Sequence, residues 1–298
     1  MVSEGIRKQA GEQWYQIFAV AVIVVVTVLS LYPLLHVLSM SLVSEQEWTA
    51  KGGFVLWPSA PTWLAYKRLF AAEVFVDAMW ISILRTILGT GLSLTAMTVT
   101  AYVVSRKGLP GRKLFLFCVL LTILFSGGLI PTYLLVRDLH MLDSVWALVI
   151  PGLVDSWSVL VLKQFFENLP TEIEDSAKID GAGEATLMFR IIVPMCAPAM
   201  AAIGLFAAVG HWNAWFDAMI YINKSSLFPL QLLIRNLLVN PELGSQFNPT
   251  QVIDASSRVS VESLKMATVV FGIVPILCVY PFLQKYFVKG MYLGAVKG

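Results

Sequence analysis

Thr171-Glu172-Ile173-Glu174-Asp175-Ser176-Ala177-Lys178-Ile179-Asp180-Gly181-Ala182-Gly183-Glu184-Ala185-Thr186 is a polar, charged stretch that runs on through Phe189-Arg190-Ile191-Ile192-Val193 to Pro194. The sequence on either side of it is apolar enough for a membrane, so the stretch marks a loop between two spans. Its own pattern is that of two short helices broken at Gly181. Thr171, after Pro170, is placed to cap the first helix; carboxylates fill its first turn, and Gly181 can take the left-handed conformation that ends it. A short helix–turn–helix between two spans reads as a part made to touch something else.

Composition carries the membrane reading to the whole chain. Of 298 residues, 57% are hydrophobic and 13% charged, and the mean hydropathy is +0.75, which excludes an ordinary soluble domain and points to an all-α integral membrane protein. A net charge of +2, with no basic run carrying interleaved aromatics, gives no sign of a nucleic-acid partner, and none is expected. Cys118, Cys196 and Cys278 are far apart in apolar runs, and His36, His140 and His211 are equally scattered, so neither a disulfide nor a metal site is argued. A helix needs roughly 20 apolar residues to cross a bilayer. That rule gives six expected spans, at 16–38, 79–104, 114–136, 145–166, 192–221 and 267–288. The first follows Arg7 and Lys8 as a signal peptide would, but its apolar run is too long and no small-x-small cleavage site follows, so a retained span is expected.

Basic residues orient the spans. Arg106, Lys107, Arg112 and Lys113 crowd the connection between the second and third, and Arg7, Lys8, Lys285, Lys289 and Lys297 flank the two ends, so both termini and the Thr171–Arg190 loop are expected in the cytoplasm. Residues 39–78 and 222–266 then fall outside, with turn-formers at Gly52, Gly53, Pro58, Pro61, Pro229, Pro241, Gly244 and Pro249, and with Trp48, Trp57 and Trp63 as interface or docking aromatics. These outer loops either reach a partner or pack over span ends. Pro131, Pro151-Gly152, Pro198 and Pro275 should kink or break their spans. Asp155, near the middle of the fourth, is costly against lipid and should line a pathway or hydrogen-bond within the protein. Arg85 and Asp217, nearer span ends, are expected to snorkel. His211-Trp212-Asn213-Ala214-Trp215-Phe216-Asp217 combines aromatics and an amide as sugar-binding clusters do, so Trp212, Asn213 and Trp215 are pathway-lining candidates; tryptophans there also suit an interfacial belt.

Asp175-Ser176-Ala177, then Asp180-Gly181-Ala182, then Pro194 resembles the cytoplasmic "EAA" loop of permease subunits in bacterial ATP-binding-cassette importers, with Asp175, preceded by Glu174, where the family has Glu. The resemblance implies a type I importer permease fold, a loop of coupling helices seated in an ATPase subunit, and Glu174, Asp175, Ser176, Ala177, Asp180, Gly181, Ala182 and Pro194 as ATPase-coupling positions. Phe125-Ser126-Gly127-Gly128-Leu129-Ile130-Pro131-Thr132-Tyr133 is similar to the sugar permeases that handle oligosaccharides, fragments of pectin and alginate among them. The ending Phe282 to Gly290, closing on Gly294-Ala295-Val296-Lys297-Gly298, resembles the smaller subunit of a two-permease importer, whose tail enters the ATPase dimer; Gly294, Lys297 and Gly298 are its candidate contacts, a frayed basic end being the other reading. The chain divides on this reading into a tail, first span and outer loop (1–77), a permease core (78–290) and a cytoplasmic tail (291–298).

The partners so implied are a second, homologous permease subunit, two ATPase subunits, a soluble substrate-binding protein, an oligosaccharide and membrane lipid. No cofactor is expected on this chain, which lacks a Gly-x-x-x-x-Gly-Lys-Ser/Thr phosphate loop, and ATP and Mg belong to the partners. No nucleophile–base constellation is recognisable, so no catalytic residue is named. The rival readings are an ion-coupled secondary carrier, for which neither an internal repeat nor a paired ion site is visible, and a membrane-embedded enzyme.

Overall fold

The computed structural model describes residues 2–53, 55–240 and 259–295, with side chains between 14 and 279, and all regular structure among them is helical. Two compact units emerge, Met1–Ala71 with Leu237–Phe271, and Ala72–Asn236 with Gly272–Gly298. The first holds α1 (Val2–Ser41), α2 (Glu45–Ala50) and α3 (Leu64–Ala71). The segment Trp14–Ser41 of α1 is continuous helix across the expected first span, and its most apolar 18 residues have a mean hydropathy of 2.6. Beyond it the chain is folded rather than loose. Ser44 Oγ accepts the Glu47 amide to cap α2, and Ser39 Oγ donates to the Leu56 carbonyl. Met40, Val43 and Val55 form a small core against which Trp48 and Met266 pack, and Ser263 Oγ donates to the Val43 carbonyl at 2.8 Å. Lys51 Nζ and the Ser59 amide both donate to Glu47 Oε1, which holds that carboxyl down at about 2. Trp57 and Trp63 stay exposed.

The second unit is built on α4 (Glu73–Ser105), whose 33 residues make a rod of ~50 Å against a ~30 Å hydrocarbon core. Ala78, Ser82, Arg85, Gly89, Ser93, Met97, Ala101 and Ser105 recur along it every three or four residues, and all are buried. Most are small, which brings neighbouring backbones close. The helices that use this stripe are Ser156–Glu167 and Ala197–Asn213. Then follow α5 (Arg112–Leu124) and α6 (Leu129–Asp138), bent by 114° across a break that ends at Gly128, whose φ is +87°. The expected third span is therefore two helices. Pro131 sits in the first turn of α6, where its missing N–H costs no bond.

The expected fourth span, 145–166, is not one helix. Val145–Leu148 is a 3₁₀ turn, Pro151 and Gly152 lie in an open break, and α7 (Ser156–Glu167) begins afresh with Asp155 as its N-cap. A proline that cannot donate followed by a glycine that gains little from helix explains the interruption. The charged loop supplies α8 (Thr171–Ile179) and α9 (Glu184–Thr186). A π-helical stretch, Leu187–Ile192, and α10 (Val193–Met195) continue it up to an 86° elbow at Cys196 and on into α11 (Ala197–Asn213). Pro198, like Pro131, lies in a first turn. The chain closes through α12 (Phe216–Tyr221), α13 (Leu230–Val239) and α14 (Val261–Ala295). By length and composition three described helices can cross a membrane, or five if each bent pair counts as one span, so the six expected spans are not six straight helices.

Candidate functional site

α8 follows Pro170, whose extended backbone starts it; Thr171 is the first helical residue, not the cap expected, and no side chain caps the helix. Its end is made by backbone. The Gly181 amide donates to the Lys178 carbonyl at 3.0 Å and the Ala182 amide to the Ala177 carbonyl at 2.9 Å, the paired bonds of a Schellman ending, with Gly181 at φ +81°. Ala177 and Ala182 then pack in one core with Met97 and Ala101 of α4, Leu162 and Phe166 of α7, and Leu187 and Ile192 beyond the turn.

Three carboxylates and two arginines tie this loop and its flanks to the end of α4 and the connection that follows it. Arg106, just past α4, is ion-paired to Glu174 and lies over the Tyr102 ring at 4.0 Å. Tyr102 donates its hydroxyl to the Glu184 carboxylate on α9. Arg112, at the start of α5, pairs with Glu167, which also accepts from Lys163 Nζ at 2.7 Å. These bonds put the basic 106–113 connection and the charged loop at one end of the unit, as the charge pattern required.

The expected coupling residues thus divide into two faces. Glu174, Ala177 and Ala182 turn inward; Ala177, expected against an outside protein, is 8% exposed in the chain's own core. Asp175, Ser176, Asp180, Gly181 and Pro194 are exposed. Ile179 joins them at 86% exposure, a branched aliphatic side chain bare to solvent on a charged helix. Sequence reading passed over Ile179 because a lone aliphatic residue among charged ones makes no helical stripe, and did not join Tyr102 and Arg106 to the loop because their partners lie tens of residues away.

A second arrangement lies higher on α4, in a half-open pocket of about 240 Å³ lined by Ser93, Met97, Asp155, Ser158, Phe206 and His211 among others. Asp155 faces this pocket rather than standing in mid-helix. Its Oδ2 accepts both the Ser158 amide (2.8 Å) and the Ser158 hydroxyl (2.6 Å). His211 reaches Ser93 Oγ at 3.5 Å across Gly89, where a Cβ would fall 2.5 Å from Nε2.

The neighbouring aromatics are differently placed. Trp212 is buried and donates from Nε1 to the Gly272 carbonyl at 2.9 Å, which corrects its reading as a pathway residue. Successive residues on a helix point about 100° apart, so His211 and Trp212 cannot share a face. Asn213 is exposed and takes a long 3.5 Å bond from Gln231, and Trp215 carries Arg235 over its ring at 5.2 Å. Arg85 does not snorkel: at 2% exposure it is clamped on Asp217 and on the Ala214 carbonyl (3.1 Å). Gly294 lies in the last turn of α14, whereas Lys297 and Gly298, with Pro241, Gly244 and Pro249, lie outside the described residues.

No family model matches the chain. Curated relatives do. The polygalacturonan/rhamnogalacturonan transport system permease protein YtcP of Bacillus subtilis (strain 168) is 38% identical over 266 residues, 89% of this chain and 92% of the relative. Protein LplC of the same strain is 39% identical over 270 residues, 91% and 90% of the two chains. The chain belongs to the carbohydrate ABC transporter permeases.

This permease also shares its fold with a chain in the crystal structure of a bacterial ABC transporter involved in the import of the acidic polysaccharide alginate. The TM-score is 0.83 at 27% identity, covering 93% of the permease and 98% of that chain. The relatives are membrane transport permeases and not enzymes, so the enzyme and ion-coupled carrier readings give way to a membrane-embedded ABC permease.

Proposed function

We propose that this permease is one half of a heterodimeric pore in an ATP-driven importer of oligosaccharides, fragments of acidic polysaccharides included, in the bacterial inner membrane. The observation that carries the reading is the two-faced α8 loop, with Glu174 and Ala177 bound to the permease and Asp175, Ser176 and Ile179 left free on the other side. A lever needs both faces. The free face docks in an ATPase subunit, and the inner face passes any displacement through Tyr102, Arg106 and the shared core to α4 and α7. Two ATPase subunits hold ATP and Mg, a second permease subunit completes the pore, and a soluble binding protein delivers the sugar. The tail at Gly294, Lys297 and Gly298 reaches the ATPase pair, and both termini with the α8 loop are cytoplasmic.

The test is co-purification of the tagged permease with its ATPase and second permease from membranes, followed by ATPase assays of the reconstituted complex with binding protein and oligosaccharide. A stable complex whose hydrolysis rises at least severalfold with sugar is expected. A permease that transports sugar on an ion gradient without any ATPase would overturn the reading.

A further inference from the structure

We infer that the pocket between α4, α7 and α11 is a subsite for a single uncharged sugar ring, held by this permease itself, which disfavours a uronate carboxylate. The inference rests on the transport reading above and adds the chemistry of the ring. At about 240 Å³ the pocket falls below the ~300–1,000 Å³ of sites for larger ligands, so it is sized for one ring of an oligosaccharide whose remainder leaves through the open side. Its lining has two characters, as a sugar does. Met97, Leu153 and Phe206 offer apolar surface for the C–H face of a ring, while Ser93, Asp155, Ser158 and His211 offer hydroxyl, carboxylate and imidazole groups to its hydroxyls.

Charge decides which rings are accepted. Asp155 uses Oδ2 for the α7 cap, and no described residue bonds Oδ1, which leaves a carboxylate oxygen to accept from hydroxyls. Among the described residues neither lysine nor arginine lines the pocket, and Arg85, the buried guanidinium nearby on α4, is committed to Asp217. A ligand carboxylate placed there meets the like charge of Asp155 within a few ångströms, inside a Debye length, and no lysine or arginine among the described lining residues offsets it. An acidic oligosaccharide can still pass if its carboxylates point away from this pocket. Gly89 belongs to the device, because any Cβ there displaces the His211 ring.

The experiment uses the assembled complex with Cys118 and Cys278, both exposed, changed to Ser and the buried Cys196 kept. Ala207→Cys then places a thiol in the lining. A cationic methanethiosulfonate should label it ~10-fold faster than an anionic one, a difference worth ~1.4 kcal/mol, and Asp155→Asn should erase the preference. Asn caps a helix as well as Asp does, so that variant keeps α7. Trigalacturonate and its carboxyl-reduced, neutral counterpart are next used to protect the thiol. Protection by the neutral form at a concentration ~10-fold lower, with the gap closing in Asp155→Asn, is the expected result. Equal protection, or none by either sugar, overturns the subsite. If sugars still stimulate ATPase in that case, the transport reading stands alone; if protection holds but no oligosaccharide stimulates hydrolysis, the transport reading falls and the subsite stands.

Discussion

Gly181 holds φ +81° at the end of α8, a conformation that costs a residue with a Cβ ~1–2 kcal/mol. Nothing lies within 4 Å of a Cβ built there, so the cost of substitution is backbone strain and not a clash. Gly181→Val should therefore unwind the Schellman turn and shift Asp175 and Ile179 on the free face, while leaving the α4–α7 core to form. Lys178, exposed and without a described ion pair, is the control. In reconstituted vesicles, Gly181→Val should lose most sugar-coupled ATP hydrolysis and Lys178→Ala should lose little. Full coupling in the glycine variant would remove the loop from the coupling path.

Between elements, the Arg85–Asp217 pair joins α4 to the first turn of α12. With Arg85 at 3% side-chain exposure and Asp217 at 29%, removing one partner strands the other. Arg85→Ala should cost about 3 kcal/mol, the low end for a broken buried pair because Asp217 keeps some contact with solvent. Replacing both, as Arg85→Met with Asp217→Leu, should recover most of that loss, since an apolar pair of similar volume often matches a buried ion pair. Thermal unfolding of the detergent-solubilised protein reads both; equal destabilisation by the single and double variants would show that packing, and not charge, is what the pair provides. Sequence spacing hid this pair, because an arginine and an aspartate near two span ends look alike whether they snorkel or meet.

For the molecule as a whole, the proposed topology puts the α8 loop and the α2–α3 region on opposite sides of the membrane. Asp175→Cys should react with an impermeant thiol reagent only from the cytoplasmic side, and Trp57→Cys only from outside; labelling of both from one side would reject it. The helical fold, the charged loop, the turn at Gly181 and the shared side of the 106–113 connection were all legible, because each depends on local composition, spacing or charge count. The straightness of the spans was not. Gly128, Pro151-Gly152 and Cys196 mark the breaks, yet a hydropathy window averages across them, so residues 145–166 passed for a helix. Asp155 was found by its cost in lipid, while its pocket needed His211 and Ser93 from two other helices, which no local pattern joins. Trp212 shows the converse: a residue type suited to sugars, turned by helix phase onto a backbone carbonyl.

The π-helical stretch Leu187–Ile192 lies between the α8–α9 loop and the Cys196 elbow. Its i→i+5 bonds hold one residue more per turn than an α-helix. Loss of one residue here can be absorbed by tightening the turn, with the phase of α11 and the facing of His211 and Gly204 left nearly unchanged. The same loss in α8 or α11 would rotate everything beyond it by about 100°. In divergent members of the lineage, single-residue length changes in this loop should therefore accumulate between Leu187 and Ile192, which makes that turn the place where evolution can adjust the connector without retuning the bundle.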